Sequence, residues 1–275
     1  MSNFAKKIIG KKFLISVEIN PNKSGDLSKD IAEVEKCAEF VNVLNVTDSS
    51  MARCKPASFV VAAELQKKFN LPAIFNFTTR DRNKIGIKSD LLGAKILGAI
   101  NILAVTGDHP SKGDFPDSKA VFEFSSDGLL QFLPEIDPIF FGGAVLNFSE
   151  NIENLEKIAL RKKTAGAKFL ISQPVFTKGR IEILHNIQNK IDLPIIAGIL
   201  PIPSRRVANY IQKYVAGITI PPDDFENFQR VSDEEILANQ ILNAKKIFNY
   251  AKEKKLAGTH FMPLGKSEKI AEIIN

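Results

Sequence analysis

At seven places an apolar run ends on a side chain that can move a proton, carry charge or hold a polar ring. They are Glu18, Thr47, the group Thr78 with Arg80 and Asp81, Asp108, Asn147, Gln173 and His260. Glu18 closes Leu14-Ile15-Ser16-Val17-Glu18-Ile19. A carboxyl buried there would hold its proton more tightly, the condition for a general acid at neutral pH; a neighbouring Lys or Arg would instead make it a structural anion. Asp108 follows Gly107 at the end of a run, where it either orients a ring through the ring's N–H groups or caps the turn. Gln173, inside Ser172-Gln173-Pro174-Val175-Phe176, suits a hydrogen-bonding heterocycle, or is a satisfied core amide. Thr78-Thr79-Arg80-Asp81-Arg82-Asn83 reads either as a salt-bridged turn or as part of a site. Arg161-Lys162-Lys163 late in a helix complements the helix dipole or meets a phosphate. His185 reads as helix surface. His109 and His260 fall at run ends without partners at metal-ligand spacing, so no metal is assigned.

The elements that must position these groups are eight β-type runs, at residues 13–19, 40–46, 72–78, 101–107, 140–146, 169–175, 194–200 and 258–263. They are continuously apolar rather than alternating, as strands of a parallel sheet covered on both faces should be. Helical spacing occupies 27–39, 57–69, 89–99, 126–135, 150–165, 179–191, 204–213 and 233–255. Ser126 with Asp127, Ser149 with Glu150, Ser204, and Ser232 with Glu235 look like helix caps. This rhythm predicts a (β/α)8 TIM barrel of the α/β class, one domain over residues 1–275, whose chemistry sits at the C-terminal strand ends. The stretch 108–125 has no helical period, and a loop of that length is usually functional.

The chain has 275 residues, 44% of them hydrophobic and 25% charged, with mean hydropathy −0.03. A chain of this size buries about three quarters of its unfolded surface and needs no disulfide or metal for stability. Cys37 and Cys54 are outside any metal-type spacing and read as reduced thiols of a cytoplasmic protein, Cys37 as helix packing. The net charge of +6 and pI near 9.1 come mostly from lysine on helix faces. No aromatic platform accompanies it, so no nucleic-acid partner is expected. No run reaches the roughly 20 apolar residues of a membrane span, and the first twelve residues lack a signal-peptide core. Neither G-x-G-x-x-G nor the Walker pattern occurs, which disfavours a doubly wound dinucleotide fold.

In order, Ser16-Val17-Glu18-Ile19-Asn20-Pro21, Thr78-Thr79-Arg80-Asp81-Arg82-Asn83, Leu103-Ala104-Val105-Thr106-Gly107-Asp108-His109-Pro110, Ala165-Gly166-Ala167, Ser172-Gln173-Pro174-Val175-Phe176, Ala197-Gly198-Ile199-Leu200-Pro201 and Gly258-Thr259-His260-Phe261-Met262 resemble the methylenetetrahydrofolate reductase family over almost the whole chain. The likeness is to the branch holding reductases fused to homocysteine methyltransferases and acetogen-type reductases; Gly113-Asp114-Phe115-Pro116 and Val121-Phe122-Glu123 are typical of it. The resemblance implies a flavin-bearing barrel that reduces 5,10-methylenetetrahydrofolate to 5-methyltetrahydrofolate in one-carbon and methionine metabolism. It implies FAD, with FMN as the alternative, and NAD(P)H as co-substrate. Glu18 matches the family's general acid, which protonates N10 of the folate so that the ring opens to an N5 iminium. Asp108 matches the carboxylate beside flavin and pterin, and Gln173 the amide that binds folate. Thr47, Asn76, Thr106, Gly107, Asp108, Phe124, Ser125, Arg161 and Lys162 match flavin-contacting positions, the last two at the pyrophosphate. Asn76 stands where many members have His, and Val145-Leu146-Asn147-Phe148 replaces a Tyr-Pro-Glu motif, so the flavin contacts are altered.

Other readings stand beside the reductase. One is a flavin-bearing subunit that takes electrons only from a partner protein, as acetogen-type relatives do. Another is a non-catalytic folate- or flavin-binding barrel, since one fold hosts many functions; a retained Glu18 argues against it. A phosphosugar lyase or aldolase would want a Schiff-base lysine at the centre of a strand, and none of the eight runs has one. The sequence leaves open homo-oligomer formation and an electron-transfer partner subunit.

Overall fold

The computed structural model describes residues 1–148, 151–215 and 217–275. β1 (Leu14–Ile19), β2 (Val43–Val46), β3 (Ala73–Thr78), β4 (Asn101–Val105), β5 (Phe141–Leu146), β6 (Leu170–Pro174), β7 (Ile195–Ile199) and β8 (Gly258–Phe261) form a closed barrel in chain order. Every pairing is parallel, and β8 closes on β1 with Ser16 opposite His260. The expected (β/α)8 barrel is therefore the observed fold. All eight predicted strands are present within a residue or three of their expected bounds.

The strands carry apolar residues on both faces for two different reasons. Val17, Leu44, Phe75, Phe77, Ile102, Ala104, Leu146 and Ile195 face outward into the layer beneath the helices. Leu14, Val43, Ile74, Leu103, Phe169, Ile171 and Ile196 face inward and fill the barrel. Alternate strands supply successive interior layers of four. Following the register round the barrel gives Ser16, Ile74, Gly143 and Ile196 in one layer, then Asn45, Leu103, Ile171 and His260, then Glu18, Asn76, Val145 and Gly198. A side chain on Gly143 would put its Cβ 2.4 Å from the Phe169 ring, so that position is glycine for packing.

The helices are α1 (Asn3–Ile9), α2 (Ser28–Glu35), α3 (Ser58–Phe69), α4 (Lys84–Ile96), α5 (Ser126–Ile136), α6 (Ile152–Thr164), α7 (Lys178–Ile191), α8 (Arg205–Tyr214), α9 (Pro222–Phe228), α10 (Asp233–Glu253) and α11 (Ile270–Ile274). α1, α9 and α11 are not expected from the sequence. α1 plugs the N-terminal end of the barrel. Phe4 is fully buried, edge-on to Phe169 and Phe141 at 5.0 and 5.8 Å, and Ser2 caps the helix while donating to Asn101. α4 begins at Lys84 rather than residue 89, because Asn83 caps it through the Gly86 N–H; Gly86 in the first turn hides that start from periodicity. α2 stops at Glu35, short of residue 39. The cap of α5 is Ser125, accepting from the Gly128 N–H, not Ser126. Ser204 and Ser232 cap α8 and α10 as expected. The Ser149–Glu150 pair lies outside the described residues, and Asn151 caps α6. Among the described residues no helix is long and apolar enough to cross a membrane.

Candidate active site

Outward-facing Val17 and Ile19 leave Glu18 pointing into the barrel, in the layer nearest the mouth. Its side chain is 26% exposed, and Oε2 lies 3.8 Å from Nε2 of His260. The His260 ring is almost fully buried, with Nδ1 3.1 Å from Ser16 Oγ. The nitrogen 3.8 Å from the Glu18 carboxyl belongs to a histidine rather than to a Lys or Arg. Asn45 is the register partner of Glu18 on β2, is fully buried, and has no partner for either amide atom. Lys55 stands in a partly buried position nearby: burial pulls its ammonium below the usual range, opposed by the charges of Asp30 and Glu18. Its amine also donates to Asn20.

Asn76 shares the Glu18 layer, and its buried Oδ1 has no partner. Val145 and Gly198 complete that layer; a side chain on Gly198 would put its Cβ 2.6 Å from the Ser172 carbonyl oxygen, so the close approach of β6 requires glycine there. Above it, past a register shift in β6, Gln173 is half-buried and donates through Nε2 to Asn147 Oδ1 at 3.1 Å. Thr47 is buried and donates to Asn20 Oδ1 at 2.9 Å.

At the end of β4, Gly107 has φ +88°, and a Cβ there would lie 3.2 Å from the side chains of Thr78 and Arg80. Glycine alone turns the chain here without strain, which sets Asp108 over the rim. Asp108 Oδ2 accepts from the Met51 N–H at 3.0 Å. The donor comes from the loop after β2, where Ser49, Met51 and Ala52 all have positive φ. Such a run of left-handed residues is costly and marks a loop held by its surroundings. Thr106 is exposed and accepts from the Ser126 N–H at 3.3 Å. Phe124 stacks on Phe132 at 5.3 Å.

Arg161 and Lys162 stand apart from this group. They lie near the end of α6 and both engage Asp127 in the first turn of α5, Arg161 through Nε at 2.8 Å and Lys162 through its amine at 2.5 Å. The Lys162 amine also donates to Ser126 Oγ at 2.6 Å and is buried. Arg161 is 63% exposed.

The polar stretch after β3 is the salt-bridged turn that sequence allowed, but its keystone is a residue sequence reasoning passed over. Buried Asp48 accepts at Oδ2 from Thr78 N–H and Oγ1–H and from Arg82 Nη1, at 2.8, 2.9 and 2.7 Å. Arg82 also reaches Asp90 and covers the Phe77 ring, while Arg80 pairs with Asp81 and donates to the Ser49 carbonyl. Burial alone would lower the Arg82 guanidinium, but the charges of Asp48 and Asp90 outweigh it and raise it. Asp48 directly after Thr47 at a strand end was the available signal.

A search against protein families matches residues 3–275 to the model described as methylenetetrahydrofolate reductase. A curated relative, methylenetetrahydrofolate reductase 2 of Schizosaccharomyces pombe, is 27% identical over 255 residues, 84% of this chain; the chain spans 39% of that relative's length. Among solved structures, a Clostridium thermocellum protein described as binding two copies of 5-methyl-5,6,7,8-tetrahydrofolic acid superposes with a TM-score of 0.73 and 16% identity, covering 98% of this chain and 96% of that one. That last likeness speaks for the barrel alone. With a family match running the length of the barrel and Glu18, Asp108 and Gln173 at its C-terminal strand ends, the chain belongs to the methylenetetrahydrofolate reductase family.

Proposed function

We propose that the protein reduces 5,10-methylenetetrahydrofolate to 5-methyltetrahydrofolate, with a bound flavin and NAD(P)H as the electron source, as one catalytic domain in cytoplasmic one-carbon and methionine metabolism. The observation that carries the reading is an inward carboxyl, Glu18, in the interior layer nearest the mouth, with Asp108 and Gln173 at the C-terminal ends of β4 and β6 on the same end of the barrel. The C. thermocellum barrel, described as binding 5-methyl-5,6,7,8-tetrahydrofolic acid, supports a folate as this barrel's ligand.

Residues at the mouth fit a flavin ring. Asn76 Oδ1 is a buried acceptor without a donor, and Gly107 offers backbone with no Cβ in the way. Thr47, Thr106, Phe124 and Ser125 border the same rim. The phosphate end fits through Arg161, whose side chain is 63% exposed and pairs with Asp127 through Nε. The buried Lys162 amine is already shared between Ser126 and Asp127. The bound group, FAD or FMN, supplies hydride chemistry; the chain supplies placement and charge. Glu18 gives its proton to the folate nitrogen that leaves the bridging carbon. Asp108, held by the Met51 amide, sets a negative charge beside the cation that results. Gln173 orients the pterin through its amide.

A second reading, a folate-binding barrel without reductase activity, is favoured by the same C. thermocellum description. One experiment separates them. Purified protein given chemically reduced flavin and methylenetetrahydrofolate should form methyl product, and Glu18→Gln should slow that step by about 10²–10⁴-fold. Folate binding by wild type without any methyl product would leave the binding reading in its place. Bleaching of the flavin by NADH in the isolated protein decides whether an electron-transfer partner is needed.

A further inference from the structure

The interior layer directly beneath Glu18 holds Asn45, Leu103, Ile171 and His260, and the layer below that holds Ser16, Ile74, Gly143 and Ile196. Polarity in these two layers is confined to one wall, β8–β1–β2, flanking the strand that carries Glu18. The opposite wall is Leu103, Gly143, Ile171 and Ile196. On stability alone the polar wall is a poor choice. Asn45 is wholly buried and neither amide atom has a partner, and burying an amide without a hydrogen-bond partner destabilises the fold. An apolar residue there would interdigitate as its counterparts do.

The geometry explains what the wall is for. Ser16 Oγ at 3.1 Å from Nδ1 fixes the rotation of the His260 ring, so Nε2 faces Glu18 Oε2 across 3.8 Å. Asn45 approaches Glu18 from the other neighbouring strand as its register partner. The charged groups near this cluster are Glu18 itself on β1 and Lys55 from the loop after β2, whose ammonium the Glu18 charge favours; β7 offers only Gly198 beside His260. We propose that His260 is a positioning residue for Glu18: keyed by Ser16, it holds the carboxyl in the orientation from which the proton is delivered. His260 touches neither folate nor flavin and acts through Glu18. The assignment rests on Glu18 being the proton donor proposed above.

The test compares His260→Leu, His260→Gln and Ser16→Ala, each in wild-type and Glu18→Gln backgrounds, in single-turnover formation of methyltetrahydrofolate from chemically reduced flavin. His260→Leu should lower kcat by about 10–100-fold, the range set by a misplacement near 1 Å, with KM for folate unchanged. The kcat–pH profile should change shape with it. His260→Gln keeps a donor near the Nε2 position and should recover most of the rate. Ser16→Ala, which removes only the hydroxyl keying the ring, should move in the same direction by less. In the Glu18→Gln background none of the three should have a further effect on kcat. A His260→Leu protein with wild-type kcat, a loss that Gln does not rescue, or a loss that multiplies with Glu18→Gln would overturn the assignment. Thermal unfolding of wild type, His260→Leu, Glu18→Gln and the double variant without ligands is independent of the reaction: contact between His260 and Glu18 makes the two midpoint shifts non-additive, and additivity counts against it. Should wild type form no methyl product, the reductase reading fails while this second cycle still decides whether His260 holds Glu18.

Discussion

Removing the Asp48 carboxylate should unfasten the rim of the barrel between β2 and β3. The side chain is 4% exposed, and its Oδ2 accepts three hydrogen bonds, from two groups of Thr78 and from Arg82. In Asp48→Ala the Thr78 N–H and hydroxyl lose their acceptor in a buried place, and Arg82 keeps Asp90, the Thr78 carbonyl at 2.9 Å and the Phe77 ring. Breaking a buried ion pair from one side costs about 3–5 kcal/mol. The surviving Asp90 contact places the expected loss near the lower end, about 3 kcal/mol. For a chain of this size that is a fall in Tm of about 6–10 °C. Asp48→Asn keeps an acceptor for Thr78 but not the charge opposite Arg82, and should lose roughly half as much. Urea unfolding and calorimetry of the three proteins measure both values. The same change should slow methyl formation, because Asp48 precedes Ser49, whose carbonyl holds Arg80, in the loop that presents the Met51 N–H to Asp108. An Asp48→Ala protein within about 1 kcal/mol of wild type would refute the view that this network holds the mouth.

Phe4→Ala should cost about 3–5 kcal/mol by opening a cavity at the barrel floor, and deletion of residues 1–9 should cost no less; a urea midpoint close to wild type would show that α1 does not plug the barrel. Burial raises the Asp30 carboxyl, against the Asn22 N–H and Lys55, which lower it. The native state therefore binds that proton more tightly than the unfolded chain, so this group's contribution is present at low pH and lost as pH rises through its raised value. Asp30→Asn should accordingly raise Tm relative to wild type at pH 8, with the gap closing below the ordinary carboxylate range, and a gap that widens in acid would contradict the sign. Burial, with Glu33 adding to it, pushes the Cys37 thiol up to about 12, while Cys54 is exposed. A thiol reagent at pH 8 should titrate one fast sulfhydryl in the native protein and a second only on unfolding.

The barrel and most of its rim were written in local sequence. A parallel strand covered on both faces must be apolar throughout, and a helix must repeat its apolar face, so alternation of the two patterns survives in any window of the chain. Glu18, Asp108 and Gln173 could be singled out because each breaks an apolar run at its C-terminal end, where a barrel gathers its loops. What tertiary structure alone decided depends on closure. Ser16 and His260 are 244 positions apart and meet because β8 returns to β1. Asn45 becomes a buried amide only once its layer is filled by residues of β4, β6 and β8. α1 has its Phe4 and Ile8 one turn apart, too short a pattern to signal a helix, and finds its partners in the floor that the strands build. The Asp48–Arg82 pair is likewise a contact across 34 positions, invisible to spacing. Periodicity records what a residue does for its own element; hydrogen bonds and ion pairs between elements leave no period, and only the folded chain shows them.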